Sequence, residues 1–549
     1  MKYYAIISLI VCSTVISACG GSGGSSNGQS GAASQSTPQA SNPAQPQPAT
    51  QSLAFREQAA SRGLGFSSDF SADYMQMPRH FAGGAASGDI DGDGDIDLVV
   101  VRGDTQANLL FLNDGGVFTE GAMPALALPN GGTSNYKLSG PTLADIDGDK
   151  DLDLFIGGVD GHPSLIFSND GSGIFTNVTT GSGLDTATSK NTISAAFGDY
   201  DKDGDLDLAL AHWGTPRDRN APGETETLWR NDSDANGIKF TAVSAPAGIS
   251  ATLIPGLQGV LGLDTDYTFA PNFADINDDG YPDLLSVSDF GGSKVYMNNK
   301  DGTFTDVTDT TQITDSNGMG AAVGDYDNDG DLDWFVSSIN GNRLYNNMNS
   351  TLIGVSETAG IESGGWGWGS CFADFDLDGH LDIYQTNGWP DTLVDRTHLW
   401  MSDGQGAFTD KAEETGIDDN QQGRGIVCAD FNGDRDVDVL LLLSNEPQAA
   451  LLWENTLPSN NSVSVTLNGP SPNTHAIGSR VYVTTGETTQ MRDVAIGSNF
   501  TSHNPTEQIF GLGSSELIDE LKIVWPDGTQ ITRSDIAANQ DLTFTHPDY

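Results

Sequence analysis

The chain has 549 residues, with 75 acidic and 24 basic side chains and a formal net charge of −51. A charge this negative excludes a nucleic-acid-binding function, because a phosphate backbone requires a basic surface. Hydrophobic residues make up 37% of the chain and aromatic residues 8%, which is enough for a core and argues against general disorder. We therefore expect the acidic residues to be concentrated at particular sites.

Residues 1–18 have the pattern of a bacterial lipoprotein signal peptide. One lysine precedes a short apolar run at residues 5–17, and this run is too short for a permanent membrane span. It ends in Ile16-Ser-Ala-Cys19, which resembles a lipobox in which Cys19 carries the lipid. The alternative is ordinary signal cleavage near Ala18 with an incidental cysteine.

Residues 19–52 are rich in Gly, Ser, Gln, Ala and Pro, and this composition predicts a flexible tether. Gly20 is not the aspartate that commonly retains lipoproteins in the inner membrane. We therefore expect the protein to be lipid-anchored in a bacterial cell envelope, at the outer membrane, either facing the periplasm or exposed at the surface.

An aspartate-rich loop of nine residues occurs seven times, and successive copies start 49 to 76 residues apart. This spacing is too long for most solenoid repeats and suits the blades of a β-propeller. Positions 1, 3, 5 and 9 of loops 1 to 7 are occupied, in order, by Asp89, Asp91, Asp93 and Asp97; Asp145, Asp147, Asp149 and Asp153; Asp199, Asp201, Asp203 and Asp207; Asp275, Asn277, Asp279 and Asp283; Asp325, Asp327, Asp329 and Asp333; Asp374, Asp376, Asp378 and Asp382; and Asp430, Asn432, Asp434 and Asp438.

These loops predict calcium binding, with up to seven structural Ca²⁺ ions. Side-chain oxygens at positions 1, 3, 5 and 9 and a backbone carbonyl at position 7 can surround a hard cation, and Gly at position 6 permits a sharp turn. Lys150 and Arg435 replace that glycine in loops 2 and 7, which we expect to be strained, weaker or partly neutralised by their own basic side chain. A merely acidic, solvated turn is the alternative, but it does not explain seven recurrences. Position 7 is occupied by Asp95, Asp151, Asp205, Tyr281, Asp331, His380 and Asp436.

The segments around each loop predict a four-stranded blade and an all-β fold. A strand of small residues precedes the loop, an apolar strand such as Leu98-Val-Val-Val101 follows it, and the repeat ends in a strand such as Phe304-Thr-Asp-Val307. The seventh repeat lacks this last strand, whereas an orphan copy starts at Phe55. We therefore predict a seven-bladed propeller over residues 53–458, closed by the N-terminal segment.

The loops resemble FG-GAP/VCBS repeats, as in the integrin alpha head, and residues 459–549 resemble the ASPIC/UnbV domain of the cartilage acidic protein family. The resemblance implies a calcium-loaded propeller and a small β-rich C-terminal domain, but it supplies no settled activity. Gln508-Ile509 stands where the family often has a histidine. The matching C-terminal stretches are Ala476-Ile-Gly-Ser-Arg-Val481, Gln490-Met-Arg-Asp-Val494, Phe510-Gly-Leu-Gly513, Val524-Trp-Pro-Asp-Gly528 and Ala538-Asn-Gln-Asp-Leu542.

The face opposite to the metal loops carries the most variable connections and is the predicted ligand face. Aromatic rings beside arginine and carboxylates suit a glycan or a peptide, although the tryptophans could equally fill space between blades. The candidate residues are His212, Trp213, Arg217, Trp389, Arg396 and His398, with Trp366, Trp368 and Arg424 nearby.

We predict a calcium-binding, lipid-anchored scaffold for adhesion or for binding glycans or proteins, with no catalytic residue assigned and an oligomeric state left open. The alternative is a carbohydrate-active enzyme, a lyase or dehydratase, that uses the ligand face; a third possibility is an accessory subunit of an envelope complex. No nucleophile elbow or zinc-binding spacing is found in the sequence. Cys371 and Cys428 either form a disulfide or remain two buried thiols.

Overall fold

The computed structural model describes residues 54–68, 80–104, 106–121, 136–216, 225–249, 265–339, 341–389, 395–444, 449–456 and 460–549. These residues all belong to one compact unit, Leu53–Tyr549. The predicted signal peptide and tether, with Cys19, lie outside the described residues, as does Arg217. Among the described residues, no helix has the length and apolar character needed to cross a membrane.

The described strands between residues 55 and 455 form seven units, each of four antiparallel strands. The strands pair in chain order in units 1 to 6, and in unit 7 the N-terminal strand supplies the fourth strand. The bounds of the strands are β2 (Gly84–Gly88), β3 (Asp97–Val101), β4 (Leu109–Asp114) and β5 (Val117–Glu120) in unit 1; β6 (Leu138–Ala144), β7 (Asp153–Gly158), β8 (Leu165–Ser168) and β9 (Thr176–Asn177) in unit 2; β10 (Thr192–Gly198), β11 (Asp207–Pro216), β12 (Leu228–Asn231) and β13 (Phe240–Ala242) in unit 3; and β14 (Thr265–Ala274), β15 (Asp283–Ser288), β16 (Lys294–Asn298) and β17 (Phe304–Asp306) in unit 4.

The remaining units repeat this pattern, and β11 also pairs with β14, which joins units 3 and 4 into one sheet. Two four-residue helices, α1 (Ser356–Ala359) and α2 (Ala412–Thr415), follow units 5 and 6. The strands are β18 (Gly318–Gly324), β19 (Asp333–Ser338), β20 (Arg343–Asn347) and β21 (Leu352–Gly354) in unit 5; β22 (Gly367–Ala373), β23 (Asp382–Asn387), β24 (His398–Ser402) and β25 (Phe408–Asp410) in unit 6; and β26 (Gly423–Ala429), β27 (Asp438–Leu443), β28 (Ala450–Asn455) and β1 (Phe55–Glu57) in unit 7.

The units are arranged in a ring. The first strands β2, β6, β10, β14, β18, β22 and β26 contact one another in this order, and β26 contacts β2. The N-terminal strand β1 pairs antiparallel with β28, with Phe55 opposite Asn455, so the two ends of this region meet in unit 7. Each first strand is buried almost throughout. It lies between two neighbouring first strands and faces an axis that is itself occupied by protein. The predicted all-β, propeller-like fold is confirmed.

An asparagine at the end of the third strand links six of the seven units to the preceding one. In unit 5, for example, Asn347 Nδ2 donates to the carbonyl oxygen of Ile276, at loop position 2 of unit 4, over 2.7 Å. Unit 6 has Ser402 at the equivalent place, where only its backbone N–H repeats the pattern by donating to Asp382. The six asparagines that make this contact are Asn113, Asn169, Asn231, Asn298, Asn347 and Asn455.

A disulfide between Cys371 of β22 and Cys428 of β26 covalently joins the first strands of units 6 and 7. Of the two alternatives left open by the sequence, the structure therefore contains the disulfide. The bridge connects residues 57 positions apart and lies beside the axis of the ring.

The C-terminal domain consists of two sheets. One has the order β32-β29-β35, with β29 and β35 parallel, and the other has the order β31-β30-β33-β34. Its core is continuous with that of units 2 and 3, since Val481, Ile523 and Trp525 belong to the same buried cluster as Ile146 and Leu206. The strands are β29 (Asn461–Asn468), β30 (Arg480–Thr485), β31 (Thr488–Asp493), β32 (Gln508–Gly513), β33 (Leu517–Val524), β34 (Gln530–Ala537) and β35 (Gln540–Thr545).

Residues 496–504 of this domain, here named the axial segment, enter the centre of the ring. They exchange hydrogen bonds with all seven units, through backbone or side-chain atoms of Ala85 and Ser87, Leu143, Phe197, Pro271, Ala321, Ser370, and Ile426 and Cys428. Near its middle, Phe500 packs on Phe269 and Trp368, on the parts of β14 and β22 that are remote from their metal loops. The axis of the ring is therefore occupied by the chain itself, a feature that we did not predict from the sequence.

Candidate metal centres and the predicted ligand face

Loop 1 shows how the sequence folds at each candidate metal centre. Asp89, at position 1, accepts hydrogen bonds from the backbone N–H groups of residues 92, 93 and 94 over 2.8 to 3.1 Å. Asp97, at position 9, accepts from the N–H groups of Ile90 and Asn113 over 2.9 and 2.8 Å. These bonds curl the loop around its own carboxylates and fix it to the second and third strands.

The carboxylate at position 3 has an oxygen that the protein leaves without a partner. In five loops, the Oδ1 atom of this residue is buried and has no hydrogen-bond partner. Such an atom carries a large desolvation penalty unless a ligand pairs with it. The five residues are Asp91, Asp147, Asp201, Asp327 and Asp376.

In the same five loops, carboxylate oxygens from three aspartates lie within 4.8 Å of one another. Their oxygens are hard donors of the kind that Ca²⁺ prefers, so the residues present fit this ion. The groups are Asp89, Asp91 and Asp97; Asp145, Asp147 and Asp153; Asp199, Asp201 and Asp203; Asp325, Asp327 and Asp333; and Asp374, Asp376 and Asp382.

The position 9 carboxyl is almost completely buried in every loop, and in the ion-free loop burial raises its pKa. The pKa rises to about 7 for Asp97 and Asp283, to about 8 for Asp153 and to about 9 for Asp333. Neighbouring carboxylates add to this effect. The aspartates of an ion-free loop are therefore hard to ionise together, whereas a divalent cation would favour their charged forms.

Loops 4 and 7 differ because Asn277 and Asn432 occupy position 3. Within the described part of the chain, neither loop brings three carboxylates as close together as the other five. In loop 7, however, Asp436 at position 7 has a buried Oδ1 without a hydrogen-bond partner, and burial together with Asp438 raises its pKa to about 9. The side chain of Asp436 is thus a candidate ligand in loop 7, where a backbone carbonyl alone was predicted.

Position 6 adopts a left-handed backbone in every loop. The φ angles of its glycines lie between 85° and 101°, and Lys150 and Arg435 are forced into the same region with φ of 88° and 68°. This conformation is unfavourable for residues with a Cβ atom. The strain that the sequence suggested for loops 2 and 7 is therefore present in their backbone.

The predicted ligand-face residues separate into different environments. His212 is completely buried in unit 3, where its ring nitrogens contact Thr192 and the carbonyl oxygen of Glu226. Arg396 and His398, in unit 6, both contact Asp410, over 2.7 and 2.8 Å. The structure does not bring these groups together as a single catalytic centre.

Four tryptophans near the axis belong to one cluster that includes Phe500. Trp366 and Trp389 stack in parallel, with ring centroids 4.9 Å apart, and Trp389 stacks on Trp368. Trp368 is 1% exposed and therefore fills space, whereas Trp213, Trp366 and Trp389 are only partly buried. These three rings, with Arg396 and His398, are the partly exposed residues of the predicted ligand face within the described part of the chain.

Arg424 lies over Trp368 of this cluster, and no ion pair joins it to an acidic side chain among the described residues. Its guanidinium lies over Trp368, 4.4 Å from the ring centroid, and donates to the carbonyl oxygens of His80, Gly388 and Gly423. Burial lowers the pKa of Arg424 to about 9. Its contacts with main-chain oxygens and an aromatic face indicate a structural role.

Two cavities, of about 180 and 440 Å³, lie between the ring and the C-terminal domain. The larger is lined by loops 3 and 4 and by Arg480, Tyr482 and Trp525. Neither cavity includes His212, Trp213, Trp389, Arg396 or His398. The described cavities are therefore on the side of the metal loops rather than on the predicted ligand face.

The fold and loops define a protein of FG-GAP-like repeats. The family model described as FG-GAP-like repeat matches residues 89–156, 145–210, 275–336 and 325–384. A second model, ASPIC and UnbV, matches residues 469–549. The chain therefore contains FG-GAP-like repeats followed by an ASPIC and UnbV domain.

Among curated proteins, the chain is similar to Cartilage acidic protein 1. It is 25% identical over 285 residues to the protein from Xenopus tropicalis and 24% identical over 265 residues to that from Homo sapiens. These matches cover 48% and 46% of the chain, but 43% and 40% of the relatives. The chain thus spans about two fifths of the length of the curated relatives it matches.

Similarity to solved structures is weaker. An Agrocybe aegerita lectin that recognises non-reducing terminal N-acetylglucosamine matches 68% of this chain and 94% of its own, with 14% identity and a TM-score of 0.42. The rhamnogalacturonan lyase YesW matches 72% of this chain and 75% of its own, with 13% identity and a TM-score of 0.36.

Proposed function

We propose that the seven units are the blades of a calcium-loaded propeller that serves as a binding or adhesion scaffold for glycans or proteins. The observation that carries the calcium assignment is the buried, unpartnered Oδ1 atom at position 3 of five loops. A bound Ca²⁺ would supply the missing partner and neutralise the crowded carboxylates. Seven such ions would reduce the formal charge from −51 to −37.

The role of calcium in this proposal is structural. Position 1 follows the first strand of a unit and position 9 starts the second, so ligands at both positions would tie the two strands together. Because such a site is not preformed in the unfolded chain, ion binding would add to the folding free energy. Extracellular calcium in the millimolar range fills sites with a Kd of ~10⁻⁴–10⁻³ M.

The assignment can be tested by counting bound calcium in the purified chain by mass spectrometry, together with two matched variants. Asp327→Ala removes the side-chain oxygen ligand at position 3 of loop 5, whereas Asp331→Ala removes the side chain at position 7, where the backbone carbonyl is the expected ligand. We expect the first variant to bind one ion fewer than the second. Equal counts in both variants, or no bound calcium in the parent chain, would contradict the assignment.

The binding role is supported by the stacked, partly exposed rings of Trp366 and Trp389 beside Trp213. Aromatic faces of this kind suit stacking on the apolar face of a sugar or on a peptide side chain. We expect the purified chain to bind members of a glycan array when calcium is present, and Trp389→Leu to weaken this binding at an unchanged melting temperature. Binding that survives this substitution would place the ligand elsewhere.

Anchoring through Cys19 is a second part of the proposal and rests on the lipobox-like sequence alone. Expressed with its first 18 residues in a bacterium, the chain should incorporate an alkyne-labelled fatty acid and sediment with membranes. Cys19→Ser should abolish the label. A labelled Cys19→Ser variant, or an unlabelled parent chain, would contradict the anchor.

A further inference from the structure

The C-terminal domain contacts the metal loops themselves, and most directly loops 2 and 6. The hydroxyl of Thr474 donates to Oδ2 of Asp145, the position 1 residue of loop 2. The backbone N–H of Gly511 donates over 3.2 Å to Oδ2 of Asp374, the position 1 residue of loop 6. In both loops a candidate ligand is therefore hydrogen-bonded to the domain that covers it.

Further contacts extend the cover over the same two loops. Ser471 donates to the carbonyl oxygen of Gly148 in loop 2 over 2.9 Å. In loop 6, Asn460 donates to the carbonyl oxygen of Asp376 and the N–H of Gly513 to that of Leu377, over 2.8 and 2.9 Å. Together with the bonds to Asp145 and Asp374, these contacts hold the domain against positions 1 to 4 of the covered loops.

The C-terminal domain packs so closely on loops 2 and 6 that there is no room for an additional atom between them. A Cβ atom at Gly148 would lie 2.8 Å from the Cα of Pro472, and one at Gly511 would lie 2.1 Å from Oδ2 of Asp374. Asp145 and Asp374 are 1% and 2% exposed. Solvent therefore does not reach these position 1 carboxylates while the domain is docked.

Loop 1 is different. In the described parts of the chain, no hydrogen bond or ion pair joins residues 89–97 to the C-terminal domain. Asp89 is only partly buried, and Gly92, Asp93 and Gly94 are exposed. The position 1 carboxylate is thus partly exposed in loop 1 and covered in loops 2 and 6, whereas the position 5 carboxylates Asp93, Asp149 and Asp378 are exposed in all three loops.

The axial segment makes lifting of this cover difficult. To undock, the domain must withdraw residues 496–504 from their hydrogen bonds with all seven units and pull Phe500 out of its aromatic cluster. Local opening that breaks many buried contacts at once is rare and slow compared with the motion of an exposed loop.

We propose that the C-terminal domain is a cap that slows ion exchange at loops 2 and 6, because it holds their position 1 carboxylates by hydrogen bonds, whereas loop 1 is open. Release of an ion from loops 2 and 6 would require these hydrogen bonds to break, and release from loop 1 would not. The inference rests on the proposed calcium binding and adds a division of labour between a fast-exchanging site and slowly exchanging ones.

The test is the release of calcium from the loaded full-length chain, mixed rapidly with an excess of a fluorescent chelator. We expect a fast phase and a slow phase. Asp91→Ala, in loop 1, should remove one ion from the fast phase, and the matched Asp147→Ala, in loop 2, should remove one ion from the slow phase. Release in a single fast phase, or loss of the same phase in both variants, would overturn the cap while leaving calcium binding intact.

A second pair of variants tests whether the C-terminal domain causes the slow phase. Thr474→Val removes the hydroxyl that contacts Asp145, and we expect it to accelerate release of one slow ion roughly tenfold. Thr488→Val, an exposed site on the same domain, is the control and should leave both rates unchanged. A Thr474→Val rate equal to that of the control would overturn the cap, and a chain that binds no calcium would overturn both proposals.

Discussion

One lysine and one arginine occupy position 6 of their loops, where the left-handed backbone favours glycine. Lys150 has a φ of 88° in loop 2, and its ammonium group lies 3.8 Å from the centroid of the Tyr549 ring in the C-terminal domain. The side chain therefore combines an unfavourable backbone with a favourable contact between domains. The two contributions can be separated by substitution.

We expect Lys150→Gly to be more stable than Lys150→Ala by about 1 kcal/mol. Both variants lose the contact with Tyr549, but only alanine keeps the Cβ atom that strains the left-handed backbone. Thermal unfolding of the two variants in excess calcium measures the difference. An alanine variant as stable as the glycine variant would show that the backbone at this position is not strained.

His503 is a buried neutral residue whose titration should make stability depend on pH. Its Nε2 accepts a hydrogen bond from the N–H of Leu143 over 2.9 Å, and burial lowers its pKa to about 4. The unfolded chain takes up a proton near pH 6.5, whereas the folded chain resists protonation until about pH 4. The contribution of His503 is therefore complete above pH 6.5 and declines as the pH falls towards 4.

The predicted size of this loss is about 3 kcal/mol between pH 6.5 and 4. His503→Gln keeps a hydrogen-bond acceptor but does not titrate, so the difference in unfolding free energy between parent and variant should shrink by that amount over this range. Chemical denaturation at several pH values, with both proteins at the same calcium concentration, gives the difference directly. A difference independent of pH would contradict the buried, neutral state of His503.

In six units the third strand also connects neighbouring units, because its terminal asparagine bonds to the preceding unit. In unit 5, Asn347 donates both to Ile276 of unit 4 and to Leu332 of its own loop. Six such side chains connect the ring through hydrogen bonds that lie beside the metal loops. The sequence contains the signal, an asparagine 14 to 17 residues after position 9 in most repeats. It does not reveal that this asparagine bonds to a carbonyl group in another repeat.

Asn347→Ser converts unit 5 to the arrangement of unit 6, and we expect it to lower the unfolding free energy by about 1 to 3 kcal/mol. The substitution leaves the buried carbonyl groups of Ile276 and Leu332 without their donor. Asn299→Ser, one residue beyond β16 and exposed, is the control and should change stability by less than about 0.5 kcal/mol. Equal effects of the two substitutions in denaturant unfolding would show that the link between units contributes nothing.

The repeated elements were predictable because each is specified locally. An aspartate pattern repeated seven times identifies the loops, and the missing last strand at one end with a spare copy at the other identifies the closure through Phe55. The axial segment was not predictable, because its position is not specified by local sequence. Residues 496–504 have no periodic pattern, and their partners are backbone groups on seven strands that are far apart in the chain.

The candidate sites follow the same division. The ligand types at positions 1, 3, 5 and 9 could be read from the sequence, whereas the role of Asp436 and the cover by Thr474 and Gly511 depend on which side chains the fold brings together. Trp213 and Trp389 were assigned to one face and do share one cluster, but Phe500, which belongs to the same cluster, comes from the C-terminal domain.

The whole protein has a large negative charge and a ring of buried carboxylates. In our proposal, bound calcium neutralises part of this charge. We expect an excess of EDTA to lower the melting temperature by at least about 10 °C, because each site that is filled a hundredfold above its Kd contributes about 2.7 kcal/mol. Scanning calorimetry with and without chelator measures the shift. Readdition of calcium should restore the original transition, and an unchanged transition in EDTA would contradict a structural role for the loops.

Ser402 gives the boundary between units 5 and 6 a different set of contacts from the other six boundaries, where an asparagine side chain crosses. Here Asn328 of loop 5 donates to the carbonyl oxygen of Gly379 in loop 6 over 3.1 Å, and Ser337 donates to that of Trp368. The next boundary, between units 6 and 7, carries the disulfide between Cys371 and Cys428. Without a reductant, units 6 and 7 should therefore stay covalently tethered after every non-covalent contact of the ring has been lost.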